Sequence, residues 1–204
     1  MDVNYPNRPV DDLFVDSNKT PLTEAEACYY LNEAFTNIMG FSPSQNTLAI
    51  LWAQSALETG RWSSLMNNNW GNIKKLKDTK YTSYKCSEVI NGINEKFEPY
   101  HPQTFFAAWD SPLEGATAYI NFVKNRKRYL DAWNSLIDGD PVKYVENLKK
   151  GGYFTALLEP YTKTVLSLFN EFNKKYPSLK KYEPPSKLVE NAINAVKKMF
   201  KLFT

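Results

Sequence analysis

The stretch Leu48–Lys74, LAILWAQSALETGRWSSLMNNNWGNIK, constrains the fold most, because it runs from an apolar helix through a single acid into an asparagine-rich turn. Ser55, Gln54 and Leu51 precede Glu58 by three, four and seven residues, so all four share one helical stripe. Thr59 and Gly60 then stop the helix. An acid at a helix C-terminus faces the negative end of the macrodipole, which disfavours the ionised carboxylate. Drying by Leu51, Trp52 and Trp62 would act the same way and hold the proton to higher pH than in a free Glu. A carboxylic acid that keeps its proton near neutrality is what a glycosidic leaving oxygen needs. The same spacing also suits a helix-terminal Glu in solvent, and the residues that follow decide between the two.

Those residues read T-G-R-W and then, over 67–74, N-N-N-W-G-N-I-K. An apolar helix ending AL-E-[ST]-G, a short spacer and NN-x-[FW]-G-(N)-I-K resemble the lysozyme-like peptidoglycan hydrolases, in particular the glucosaminidase family (glycoside hydrolase family 73). The resemblance implies an α+β, mainly α fold: a lysozyme-like helical domain, a small β-hairpin lobe and a cleft between them. It puts Glu58 at the general acid and Asn68, Asn69, Gly71 and Lys74 on the second motif. Gln54, Trp62, Asn68, Asn69, Trp70 and Gly71 are accordingly expected to bind substrate, the asparagines as a wall of amides facing acetamido groups or else as an ordinary turn.

Two further segments carry the resemblance. GGYFTALLEPYTKTV is similar to the family's AGY-A-T-D-P-x-Y-A-x-K-[IL] and aligns Tyr153, Thr155, Tyr161, Lys163 and Val165. Tyr153 is expected to bind substrate, and the resemblance implies that Tyr161 faces the cleft and is catalytic, bonding an acetamido group or supporting oxocarbenium charge; the alternative is a core aromatic at a helix start. Here ALLE replaces a short D-P, so the loop is longer. CSEVING resembles a T-x-E-Y-x-N-G hairpin, which places Glu88 at the second carboxylate, although Cys86 and Val89 replace the flanking threonine and tyrosine. The long run from there to FAAWDS leaves Glu95 and Glu98 as alternatives, and Glu88 as an exposed hairpin acid.

At 204 residues the chain makes one domain, or one domain with an appendage. A net charge of +3 is too small for a nucleic-acid footprint, so no nucleic-acid partner is expected, but it is mildly favourable toward anionic wall polymers. Arg126, Lys127 and Arg128 form a short basic run, read as solvated surface or as an attractor of such polymers. Cys28 and Cys86 are expected as buried thiols. His101 is the only histidine and no Cys/His cluster exists, so neither metal nor cofactor is expected. MDVNYPNRPVDD has no basic-then-apolar signal region, and no run approaches membrane-spanning length. The expectation is synthesis in the cytoplasm and action on the cell wall, as a phage endolysin or virion component.

The expected organisation is an extended arm over 1–19, the catalytic domain over 20–176, a proline-rich linker over 177–186 and an amphipathic helix over 187–204. Thr23-Glu-Ala-Glu26 is a capping box for a helix reaching Met39, and Ser42-Pro-Ser-Gln45 a second box with Pro43 in the first turn. The helix it starts should hold Leu48, Leu51, Trp52 and Ser55 inward. Strands are expected near Lys80–Tyr84, Cys86–Ile90, Phe97–Tyr100 and Thr104–Trp109, with Asn91-Gly92 as a hairpin turn. Ser111-Pro112, Tyr129, Asp140-Pro141 and Pro160 mark the starts of four further helices. The 187–204 helix, with Val189, Ile193, Val196, Phe200 and Phe203 on one seam, would dock on the domain, on a partner chain, or on a membrane or envelope surface.

The expected activity is cleavage of β-1,4 bonds in the N-acetylglucosamine/N-acetylmuramic acid glycan strands of peptidoglycan, with Glu58 as acid. The alternatives are a lytic transglycosylase or muramidase on the same glycan, and a non-catalytic wall-binding or structural virion module.

Overall fold

The computed structural model describes residues 8–90 and 93–177, without the side chains of residues 88–90. The expected linker beyond residue 177 and the 187–204 helix lie outside the described residues. Among the described residues six helices, α1 (Glu24–Met39), α2 (Gln45–Glu58), α3 (Pro112–Lys124), α4 (Leu130–Ile137), α5 (Pro141–Lys150) and α6 (Leu158–Lys175), surround four short strands in sequence, β1 (Tyr81–Ser83), β2 (Cys86–Ile90), β3 (Ile93–Phe97) and β4 (Phe105–Ala107). This is the mainly α, lysozyme-like α+β architecture the sequence implied. Among the described residues no helix is long and apolar enough to cross a membrane.

The helix starts follow local chemistry. Thr23 closes its box, with its hydroxyl accepting from Glu26 N at 3.2 Å and Glu26 Oε2 accepting from Thr23 N at 2.8 Å. Ser111 and Asp140 cap α3 and α5, each with proline in the first turn. Two boundaries differ from expectation. Ser44, not Ser42, caps α2, through Thr47 N at 3.1 Å, which leaves Pro43 outside the helix. α6 begins at Leu158 and takes Pro160 into its first turn, where the missing N–H has no intrahelical partner to lose.

α2 is the axis of the core. Thr47–Ala56 are buried on every side, so the expected inward stripe is in fact a helix enclosed all round. The Trp52 ring lies 5.0 Å from Trp62 and 5.4 Å from Phe172 of α6. Leu48, Ile50 and Leu51 are fully buried, each contributing about 1.5–3 kcal/mol.

The β part forms two separate antiparallel pairs. β1 pairs with β4, Tyr81 opposite Ala107. β2 pairs with β3, and Ile90 opposite Ile93 brackets the expected hairpin turn. The arm is fastened to this part, since Val15 N donates to Tyr81 O and Tyr81 N to Leu13 O, both at 2.9 Å. Neither cysteine is in a disulfide, and burial pushes the Cys28 thiol up to about 12; Cys86 is only half-buried, because β2 runs along the cleft.

Candidate active site

α2 delivers Glu58 to the wall of a cleft of about 690 Å³, which the β strands, the 71–76 segment, the 126–129 turn and the 152–156 loop complete. The volume suits a few sugar rings. Within it the Tyr161 hydroxyl donates to Glu58 Oε1 at 2.8 Å, and the Asn72 side-chain amide donates to the Glu58 carbonyl at 2.6 Å. Burial raises the Glu58 carboxyl above its ordinary 4.5, against smaller opposing effects of the Tyr161 and Asn72 hydrogen bonds. Among the described residues no cation lies within ion-pair distance to stabilise the carboxylate. The Tyr161 phenol is pushed well above 10 by burial and by the neighbouring Glu58, so it remains a donor. Its ring stacks on Phe154, with centroids 3.7 Å apart and planes within 5°.

The segment after Glu58 is bent by an unusual backbone. Gly60, Arg61 and Trp62 have φ of 56°, 55° and 59° in succession. For Arg61 and Trp62 this left-handed geometry costs about 1–2 kcal/mol each. Tertiary contacts hold it: Arg61 reaches Glu171 at 2.6 Å and Glu24 at 3.1 Å, while Trp62 is fully buried and its N–H donates to Thr59 Oγ1 at 3.0 Å. Asn67, Asn68 and Asn72 are left-handed too, as Asn tolerates. The turns return Asn72 to the end of α2 beside Glu58.

Five of the expected substrate-binding residues are framework instead. Gln54 is fully buried, and its Oε1 accepts from Tyr119 at 2.6 Å and Tyr144 at 2.5 Å. Trp62 and Trp70 are fully buried, Trp70 donating to Pro112 O at 3.1 Å. Asn68 donates to Trp109 O, and Asn69 to Ile73 O and Ala107 O, all at 2.9 Å. These amides tie the turn to the β part because its backbone would otherwise be buried unpaired. Gly71 and Tyr153 do line the cleft. A Cβ on Gly71 would stand 2.5 Å from the Tyr153 hydroxyl and 2.9 Å from Tyr119 Cδ2, so glycine is required by close approach.

The candidates for a second acid separate as well. Glu88 lies on β2 opposite Glu95, with its side chain outside the description. Glu95 and Glu98 are exposed and do not line the cleft, and Glu98 pairs with Lys85. Glu58 is thus the only carboxylic acid among the described cleft residues. Sequence reasoning passed over Asn72 and Phe154, which sit inside the matched motifs but whose contacts are non-local. Arg126 and Arg128 are not plain solvated surface, since both line the cleft. Among the described residues no group of three or more His, Cys, Asp or Glu converges as a metal site.

A helical domain with a β lobe and a shielded carboxyl in a sugar-sized cleft defines a glycoside hydrolase of lysozyme-like fold. The chain belongs to the glucosaminidase family: the family profile described as mannosyl-glycoprotein endo-beta-N-acetylglucosaminidase matches residues 44–174. A solved peptidoglycan hydrolase from Sphingomonas sp. A1 is similar at 20% identity and a TM-score of 0.52, over 78% of this chain and 97% of its own. The catalytic domain of the autolysin Auto from Listeria monocytogenes matches at 16% identity and 0.51, over 76% and 88%. The glycoside hydrolase domain of FlgJ from Salmonella typhimurium matches at 17% and 0.50, over 83% and 95%. No curated protein sequence matches the chain.

Proposed function

We propose that the protein cleaves β-1,4 glycosidic bonds in the N-acetylglucosamine/N-acetylmuramic acid strands of peptidoglycan, with Glu58 as general acid. The observation that carries this reading is the Tyr161 hydroxyl bond to Glu58 Oε1, made inside the cleft to a carboxyl whose proton affinity burial raises. With Oε1 engaged, Oε2 is the atom that carries the transferable proton to the leaving oxygen. As the bond breaks, positive charge grows on the sugar ring, and the carboxylate that remains beside it stabilises that charge. Tyr161 bonds the same carboxylate and thereby eases loss of its proton. The names of the Sphingomonas and Listeria neighbours, a peptidoglycan hydrolase and an autolysin, support peptidoglycan as the substrate.

A second reading rests on Glu58 being the only carboxylic acid among the described cleft residues. One acid can protonate the leaving oxygen and then, as a base, draw the muramyl 6-hydroxyl onto the anomeric carbon, leaving an anhydro end. Water activated by Glu88, or assisted by the substrate's own acetamido group, gives a reducing end instead. The test is clearing of peptidoglycan suspensions by wild type and Glu58→Gln, with mass spectrometry of the fragments. Wild type is expected to clear and the variant not to; clearing by Glu58→Gln removes the acid assignment. Reducing N-acetylglucosamine, reducing N-acetylmuramic acid and anhydro ends identify the bond and the route.

A further inference from the structure

Arg126 and Arg128 stand on the cleft wall on a platform of three rings. The Arg126 guanidinium lies 3.9 Å from the Phe122 ring centre, and the Arg128 guanidinium 4.7 Å from that of Tyr129. Phe122 and Tyr129 are 5.8 Å apart, and Tyr153 packs against both, at 6.0 Å and 5.7 Å. Burial pushes the Tyr129 phenol up while Arg128 and Arg126 pull it back, so both charges act on one place.

Neither guanidinium has a carboxylate within 4.0 Å among the described residues; Arg128 also bonds the Tyr129 hydroxyl, while Arg126 has no hydrogen bond to a protein acceptor among them. The cleft lysines differ: Lys74 Nζ donates to Gln103 O at 2.7 Å, and Lys75 Nζ sits 3.3 Å from the centre of the Tyr81 ring and 3.9 Å from Asp11. An arginine stacked on a ring commits its apolar face and keeps a planar edge of N–H donors. Two such edges on neighbouring rings fit carboxylates, each bound through a two-oxygen fork. Tyr153 separates them from the acid, for its hydroxyl reaches Gly71 O at 3.2 Å, next to Asn72. The pair is therefore placed to hold substrate and not to take part in bond breaking.

We propose that Arg126 and Arg128 form a subsite for the free carboxylates of the peptides attached to the glycan, so that the cleft selects peptide-substituted strands over bare sugar. The inference rests on peptidoglycan being the substrate, and it makes the arginines specificity determinants of the same cleft. A phosphate-bearing wall polymer is the competing anion, and the assay separates it.

The experiment is co-sedimentation of the full-length Glu58→Gln chain, with and without Arg126→Gln/Arg128→Gln, on purified sacculi. Sacculi are used as isolated, after removal of wall phosphate polymers, and after amidation of their carboxyls. The expected result is roughly tenfold weaker binding without the arginines, on intact and on phosphate-free sacculi alike. The difference should vanish on amidated sacculi, and binding to uncharged N-acetylglucosamine oligomers should be the same for both chains. Arg126→Lys/Arg128→Lys should fall between, since it keeps charge and loses the fork. The proposal is overturned by equal binding to sacculi, by an equal loss on neutral oligomers, by a difference that disappears with the phosphate, or by no binding of the arginine-bearing chain. Fragment release by the wild type is measured separately, so that failure of the proposed activity is told apart from failure of the arginine subsite.

Discussion

Replacing Gln54 by Met tests whether the residue one turn below Glu58 belongs to the core or to the sugar site. Gln54 is fully buried, and its Oε1 is the acceptor for the Tyr119 and Tyr144 hydroxyls at 2.6 Å and 2.5 Å. Its Nε2 is buried without a hydrogen-bond partner among the described residues. Met keeps length and volume but offers no comparable acceptor, so two buried hydroxyls are orphaned at about 1–3 kcal/mol each. Loss of the unpaired amide donor offsets about 1–3 kcal/mol of that. The net expectation is a destabilisation of about 1–3 kcal/mol, or a fall in Tm of about 2–12 °C for a chain of this size. Urea unfolding at neutral pH should show the lower midpoint with an unchanged slope. Adding Tyr119→Phe and Tyr144→Phe removes the orphaned hydroxyls, so the triple variant should recover to within about 1 kcal/mol of wild type. A Gln54→Met chain as stable as wild type, or a triple variant weaker than the single, would refute the reasoning. The KM for peptidoglycan should not move; a raised KM at unchanged stability would return Gln54 to the substrate.

Burial raises the Glu58 carboxyl above 4.5, so the folded chain keeps a proton that the unfolded chain has lost, and ionisation works against folding as pH rises from 4.5 through the folded value. Glu58→Gln should therefore match wild type in melts below about pH 4.5 and exceed it at neutral pH, and a less stable variant at pH 7 would contradict the shift. Tyr161→Phe removes a bond that favours the carboxylate, so the alkaline limb of the pH–rate profile should move up while kcat falls about 10–100-fold; an unmoved limb would separate Tyr161 from Glu58 titration. Asn69→Ala loses bonds to Ile73 N at 2.8 Å and to Ile73 O and Ala107 O at 2.9 Å, so it should cost about 2–4 kcal/mol in unfolding assays with KM unchanged. Gly71→Ala, with its Cβ 2.5 Å from the Tyr153 hydroxyl, should cost about 1–3 kcal/mol and lower kcat; wild-type activity would show that the close approach relaxes freely.

Much of the fold was legible because its signals are local. A capping box at Thr23, proline after Ser111 and Asp140, and left-handed Gly40 after Met39 act within a few residues, and α1, α3 and α5 start or stop there. The pairing of β2 across 91–92 was signalled by turn chemistry in the same way, but its partner strand runs over Ile93–Phe97 and not over Phe97–Tyr100 as expected. Ser44 displaced Ser42 as the α2 cap because either serine suits an N-cap, and the packing of the helix chose between them. The pairing of β1 with β4 joins residues 22 to 26 apart, Ser83 with Phe105 and Tyr81 with Ala107, and the arm meets Tyr81 across more than 60, so no short window of sequence holds either.

The sequence by itself determined that one acid closes an apolar helix and that an asparagine-rich turn follows it, since periodicity and capping are properties of neighbouring residues. It could not say which side of that helix meets solvent, because Gln54 and Glu58 lie on one stripe and a helix buried all round shows no preferred face. Tertiary structure decided it. Tyr119 comes from 65 residues away to close over Gln54, and Tyr161 from 103 residues away to meet Glu58, so one polar group became core and the next the edge of a cleft. The physical reason is that burial, and with it the proton affinity of the carboxyl, is set by which distant side chains exclude water.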